Sequence, residues 1–218
     1  KMSYLSFNSA TNLYWIGRYL QRAETMLKEY EQSYDYVIDR DFEDGKKLFA
    51  KFGKPIEYKN ASDFLAVAVY GNHTLNIADM VANARENTVV CRDLIDDETF
   101  AAINSLNIKL KEGRWSNLRA YTINELLSIM RSIWGGLREP LIRPKAYYFV
   151  EFGDVIERID LKIRLYEDLS NILFEIENIN IIAHKLNPTW KNVKLTGSDK
   201  NKLLAEFNSL IDKIAYGC

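Results

Sequence analysis

The sequence predicts an all-α protein, a helical bundle of six to eight helices with short connections. Apolar residues recur at three- and four-residue spacing over long stretches, the period of an amphipathic helix. Alternating strand patterns are almost absent. The 4 prolines and 10 glycines are few for 218 residues, and the prolines fall between periodic segments.

The first helix is predicted from about Ser9, as N-cap, to Ile38, with Leu13, Ile16, Leu20, Ala23, Leu27 and Tyr30 as its apolar stripe. A short helix over "FEDGKKLFAKF" follows and stops at Gly53-Lys54-Pro55. Ser62 is placed to cap "DFLAVAV", Gly71-Asn72 interrupts, and a longer helix continues to about Leu94. Asp96 then caps "DETFAAINSLNIKL", with Gly113 as its stop. Thr122 opens "INELLSIMRSIWGGL", which ends before Pro140. A long helical pattern runs from about Lys145 to Lys185, with a break near Ser170, and Pro188 closes it. Ser198 caps a last amphipathic helix to about Tyr216, after the loop "NPTWKNVKLTGSDK". No boundary divides the chain, so one domain over residues 1–218 is expected.

Composition excludes several classes of function. With 29 basic and 30 acidic residues the net charge is −1, and no basic block marks a nucleic-acid partner. No apolar run approaches the roughly 18 residues that span a bilayer, so no membrane partner is expected. Cys91 and Cys218 are too far apart and too few for a disulfide framework. The start "KMSYLSFNSA" lacks the layout of a signal peptide. A cytoplasmic location is the expectation, with a homo-oligomer left open.

One internal likeness stands out. "GRYLQRAE" from Gly17 and "GDVIERID" from Gly153 share the skeleton G-x-x-[L/I]-[Q/E]-R-x-[E/D]. The register continues through Leu27 with Ile163, Lys28 with Arg164, Tyr30 with Tyr166 and Glu31 with Glu167, which suggests an internal pseudo-repeat. A glycine inside a helix costs about 1 kcal/mol relative to alanine and calls for a reason, the commonest being close approach of another backbone. Gly17 and Gly153 are therefore expected to form a helix crossing. That would gather Gln21, Arg22, Glu24, Glu157, Arg158 and Asp160. On the first helix Glu24 borders the apolar stripe while Arg18 and Arg22 lie nearly opposite, so Glu24 is the carboxylate expected to be half-buried. A third cluster, "NARENTVVCRDLID", places Arg85 and Arg92 on one helix face and Glu86 and Asp93 on the next.

These three segments together resemble the bacterial alpha-E domain family. "NLYWIGRYLQRAE" is similar to its opening, which typically reads YWLGRYLERAE. "ARENTVVCRDLID" is similar to its central A-R-E-N-A-R-x-x-R-[D/E] helix, and "FVEFGDVIERID" to its later L-G-R-x-L-E-R-A segment. The likeness runs from residue 5 to about 168. Gln21, Val89, Asp154 and Ile159 depart from the usual glutamate, arginine, arginine and small residue. The resemblance implies an all-helical fold and association with amide-forming ATP-grasp proteins and transglutaminase-like proteins.

No phosphate-binding glycine loop and no G-x-S-x-G elbow occurs. His73 and His184 lack a glutamate three residues earlier and read as capping or packing residues. No cofactor and no metal site is expected, because arginines accompany the carboxylates Glu24, Glu86, Glu157 and Asp160 in the same motifs. Cys91, beside Val89 and Val90, reads as a core thiol. Trp15 and Tyr19 flank the first motif and suit either packing or a partner surface.

Two functional readings remain open on the sequence. One is a non-catalytic interaction module whose arginines (Arg18, Arg22, Arg85, Arg92, Arg158) bind a partner or a carboxylate. The other is an enzyme acting on amide or ester groups, with Glu24, Glu86 or Glu157 as general base.

Overall fold

The computed structural model describes residues 5–113, 120–138, 144–197 and 199–216. Among these residues it is all-helical, with nine α-helices, one 3-10 turn and no strand. The helices are α1 (Phe7–Asp39), α2 (Asp44–Ala50), α3 (Ala61–Tyr70), α4 (Ile77–Val90), α5 (Asp97–Gly113), α6 (Ala120–Arg138), α7 (Pro144–Leu165), α8 (Ile172–Leu186) and α9 (Lys200–Tyr216). The count exceeds the expected six to eight because the short α2 forms and the long pattern after Lys145 divides into α7 and α8.

Several caps differ from expectation. Ser6, not Ser9, opens α1, its hydroxyl accepting the Ser9 amide at 3.0 Å. Asn60 rather than Ser62 caps α3, accepting the Asp63 amide at 2.9 Å. Asp96 caps α5 as expected, accepting the Thr99 amide at 2.8 Å. Thr122 lies inside α6, which starts at Ala120. Ser198 and Pro140 fall outside the described residues, and Asp199 accepts the Lys202 amide at 3.0 Å at the start of α9. Gly53, at a φ of 65°, takes the left-handed turn that ends the α2 segment.

Helix α4 stops at Val90, short of the expected end near Leu94, and Arg92–Leu94 form a separate 3-10 turn. Thr88, Val89 and Val90 are β-branched, and the Thr88 hydroxyl donates back to the Ala84 carbonyl at 2.7 Å. Both effects weaken a last turn, and Asp96 recruits the chain downstream into a new cap.

Two hydrophobic clusters share one wall. The larger is built from α1 to α6, with Leu13, Ile16, Leu20, Met26 and Leu27 of α1 at its centre. The smaller gathers α8 and α9 against α7 through Ile172, Ile176, Ile179 and Phe207. Helix α7 serves both: Ala146, Val150, Leu161 and Leu165 join the first cluster, while Phe152, Val155, Ile156, Ile159 and Ile163 join the second. Helix α7 thus covers part of the polar side of α1 as well.

Candidate functional site

The polar side of α1 meets α7 at two glycines. A methyl group on Gly17 would drive into the Val150 carbonyl, and one on Gly153 into the Tyr14 carbonyl. Each glycine therefore lets the other helix's backbone pass, and the two obstructing carbonyls belong to residues three positions before the opposite glycine.

One turn beyond, α7 presents Glu157, which is 0% exposed. Arg18 Nε donates to its Oε2 at 2.7 Å and Arg22 Nε to its Oε1 at 2.5 Å. Both arginines come from α1, four residues apart, so they stack on one face and reach the same carboxylate. Arg18 is 7% exposed and its Nη1 also donates to the Tyr14 hydroxyl at 3.2 Å. Burial alone would lower the Arg18 pKa, but Glu157 and Tyr14 outweigh it and lift it above the ordinary guanidinium value. Desolvation raises the Tyr14 pKa, with Arg18 opposing.

Neighbouring residues on a helix point about 100° apart, so Arg158 turns away from α1 toward α8. Its Nη2 lies 3.5 Å from Asp154 Oδ2 and its Nε 3.6 Å from Glu175 Oε2. Lys162 Nζ donates to the other Glu175 oxygen at 3.0 Å. Asp154 Oδ1, Arg158 Nε and Glu175 Oε2 are buried without a hydrogen-bond partner among the described residues. Burial lifts the Asp154 pKa to about 6; Arg158 and Arg138 oppose the shift, and Glu24 and Glu175 add to it.

The remaining predicted residues lie elsewhere or pair locally. Glu24 is half-buried, as expected, and is held by Lys28 of its own helix at 2.6 Å, while Glu157 of α7 is the carboxylate that is enclosed completely. Asp160 pairs with Arg164 one turn on at 3.0 Å. Arg85 donates to Asn104 at 3.0 Å and to Glu86 at 2.6 Å, on the far side of α4. Arg92 does not share that face: in the 3-10 turn it donates to the Ile95 carbonyl at 2.9 Å, pairs with Asp97 and lies 4.4 Å from the Phe100 ring centroid. Cys91 is buried, its thiol pushed up to about 11 by burial and by the charge of Asp93. His73 receives the Leu75 amide on Nδ1 and sets Nε2 2.8 Å from the Val67 carbonyl, closing the end of α3.

Sequence reasoning passed over Glu175. Its signal was present: Ile172, Glu175, Ile176, Ile179, Ile182 and Ala183 make one continuous buried stripe, with a carboxylate inside it.

Residues 6–193 match the model of Alpha-E, described as "a predicted alpha-helical domain with a conserved ER motif". The chain belongs to the Alpha-E family. In this Alpha-E chain the dipeptide Glu-Arg occurs once, at Glu157-Arg158. It is the point from which α7 grips α1 on one side and faces α8 on the other. No curated protein and no solved structure matches the chain in the same comparisons.

Proposed function

We propose that this Alpha-E chain is a non-catalytic helical accessory module in a bacterial peptide- or protein-modification system of the cytoplasm. Its partners in that system are amide-forming ATP-grasp proteins and transglutaminase-like proteins, as the family resemblance implies.

The observation that supports this reading is the closure of the Arg18–Glu157–Arg22 triad. Glu157 is fully enclosed with both oxygens occupied, so it has no lone pair aimed at an open cleft where a substrate proton could be taken. Glu24 and Glu86 are each engaged by a cation on their own helix and lie on different elements, so they do not converge as an acid–base pair. A triad of this kind fixes how α1 and α7 cross, which sets the shape of a recognition surface.

The test uses the purified chain with an ATP-grasp and a transglutaminase-like protein from the same cells. Calorimetry and size-exclusion light scattering should show a stoichiometric complex with one of them. The isolated chain should hydrolyse no amide or ester. Turnover that disappears in Glu24→Gln or Glu157→Gln, in protein that still folds, would replace this proposal with the enzyme reading.

A further inference from the structure

Four residues of α1 follow the spacing i, i+3, i+4, i+7: Trp15, Arg18, Tyr19 and Arg22. That spacing defines one helix face, and here it lies opposite the apolar stripe of Leu13, Ile16, Leu20 and Leu27. It is built from two aromatic rings and two guanidinium groups. Trp15 and Tyr19 are half-buried, with ring centroids 5.4 Å apart, and the Arg18 guanidinium sits 5.2 Å from the centre of the Trp15 ring.

The charges of this face do not balance. Two arginines share one carboxylate, Glu157, and the intervening Gln21 is neutral, its amide donating to Thr25 at 3.0 Å. Both arginines spend their Nε on Glu157, while the Arg22 Nη groups donate to no acceptor among the described residues. The Arg22 side chain is 27% exposed, so these donors reach water. A guanidinium held at its inner edge, with its outer edge free, is a pre-organised fork for a planar anion.

We infer that this face binds an aspartate or glutamate side chain on the surface of a partner protein. The carboxylate sits on the outer edge of Arg22 beside Arg18, and the apolar atoms next to it lie on Trp15 and Tyr19. One carboxylate below and one above bring the arginine pair to neutrality. The inference rests on the module reading above and gives it a recognition chemistry.

The experiment titrates the full chain with a blocked peptide carrying one glutamate beside a leucine, and with its glutamine counterpart, following tryptophan fluorescence. Trp15→Phe assigns the signal to Trp15. The expected result is a saturable change with the glutamate peptide alone, weakened roughly tenfold or more in Arg22→Met. Equal response to the glutamine peptide, equal response to inorganic phosphate, or unchanged affinity in Arg22→Met overturns the inference. Should Arg22→Met melt early, Arg22→Lys keeps the charge and loses the fork. It should still weaken binding, and unchanged affinity there also overturns the inference. A partner complex that survives in Arg22→Met removes this site while leaving the module reading in place.

Discussion

Glu157 sits between two guanidinium groups with no surface of its own. Removing its charge leaves Arg18 nine-tenths buried and without its main partner, and breaking a buried pair from one side costs roughly 3–5 kcal/mol. Glu157→Gln should therefore lower the urea midpoint strongly, whereas Glu24→Gln, which frees one exposed lysine, should change it by about 0.5 kcal/mol or less. Asp154 behaves in the opposite sense. Its folded pKa of about 6 lies above the ordinary 3.8, so the folded chain binds the proton more tightly than the unfolded chain. Its contribution is favourable below about pH 4 and is lost as pH rises through 6. At 1.36 kcal/mol per pH unit the whole loss is at most about 3 kcal/mol. Asp154→Asn should flatten the dependence of melting temperature on pH between 4 and 7 and raise stability at pH 8. A variant that keeps the wild-type slope would assign the slope to another group.

At the scale of elements, four glycines differ in what surrounds them. Gly17 and Gly153 face opposing backbone, Gly136 faces the Thr99 side chain, and Gly135 has open space. Gly135→Ala should stabilise α6 by about 0.5–1 kcal/mol. Gly136→Ala should destabilise, and Gly17→Ala or Gly153→Ala should do so by about 1–3 kcal/mol or more. Thermal melts of the four variants check the order. The helix positions were legible in the sequence because periodicity, caps and breakers agree over most of the chain. Which carboxylate is enclosed completely was not. A wheel drawn for α1 alone marks Glu24 as bordering the core, since nothing in α1 tells that α7 will cover the arginine side. The end of α4 was hidden for a related reason. Neither glycine nor proline marks it, and it depends on a β-branched run competing with a cap six residues further on.

For the whole molecule, α7 decides how the two clusters communicate. Because its residues line both, neither cluster can lose its packing without exposing a face of the same helix. Unfolding should accordingly be a single transition. Trp134 reports the larger cluster and Trp190 packs against the smaller, so single-tryptophan variants retaining one or the other should give coincident urea midpoints. Separate midpoints would show that α8 and α9 detach first.

The distance in sequence between the halves of the triad has a consequence for synthesis. Glu157 follows Arg18 by 139 residues. At roughly 5–20 residues per second, Arg18 is made roughly 7–30 s before the carboxylate that pairs with it. Once α4 has followed, the first helix can bury its apolar stripe against it while its arginine face stays open to water and to any acidic surface nearby. The native crossing is a late event in the life of each new chain, and a nascent-chain chaperone would meet this protein with its central helix clothed on one side only.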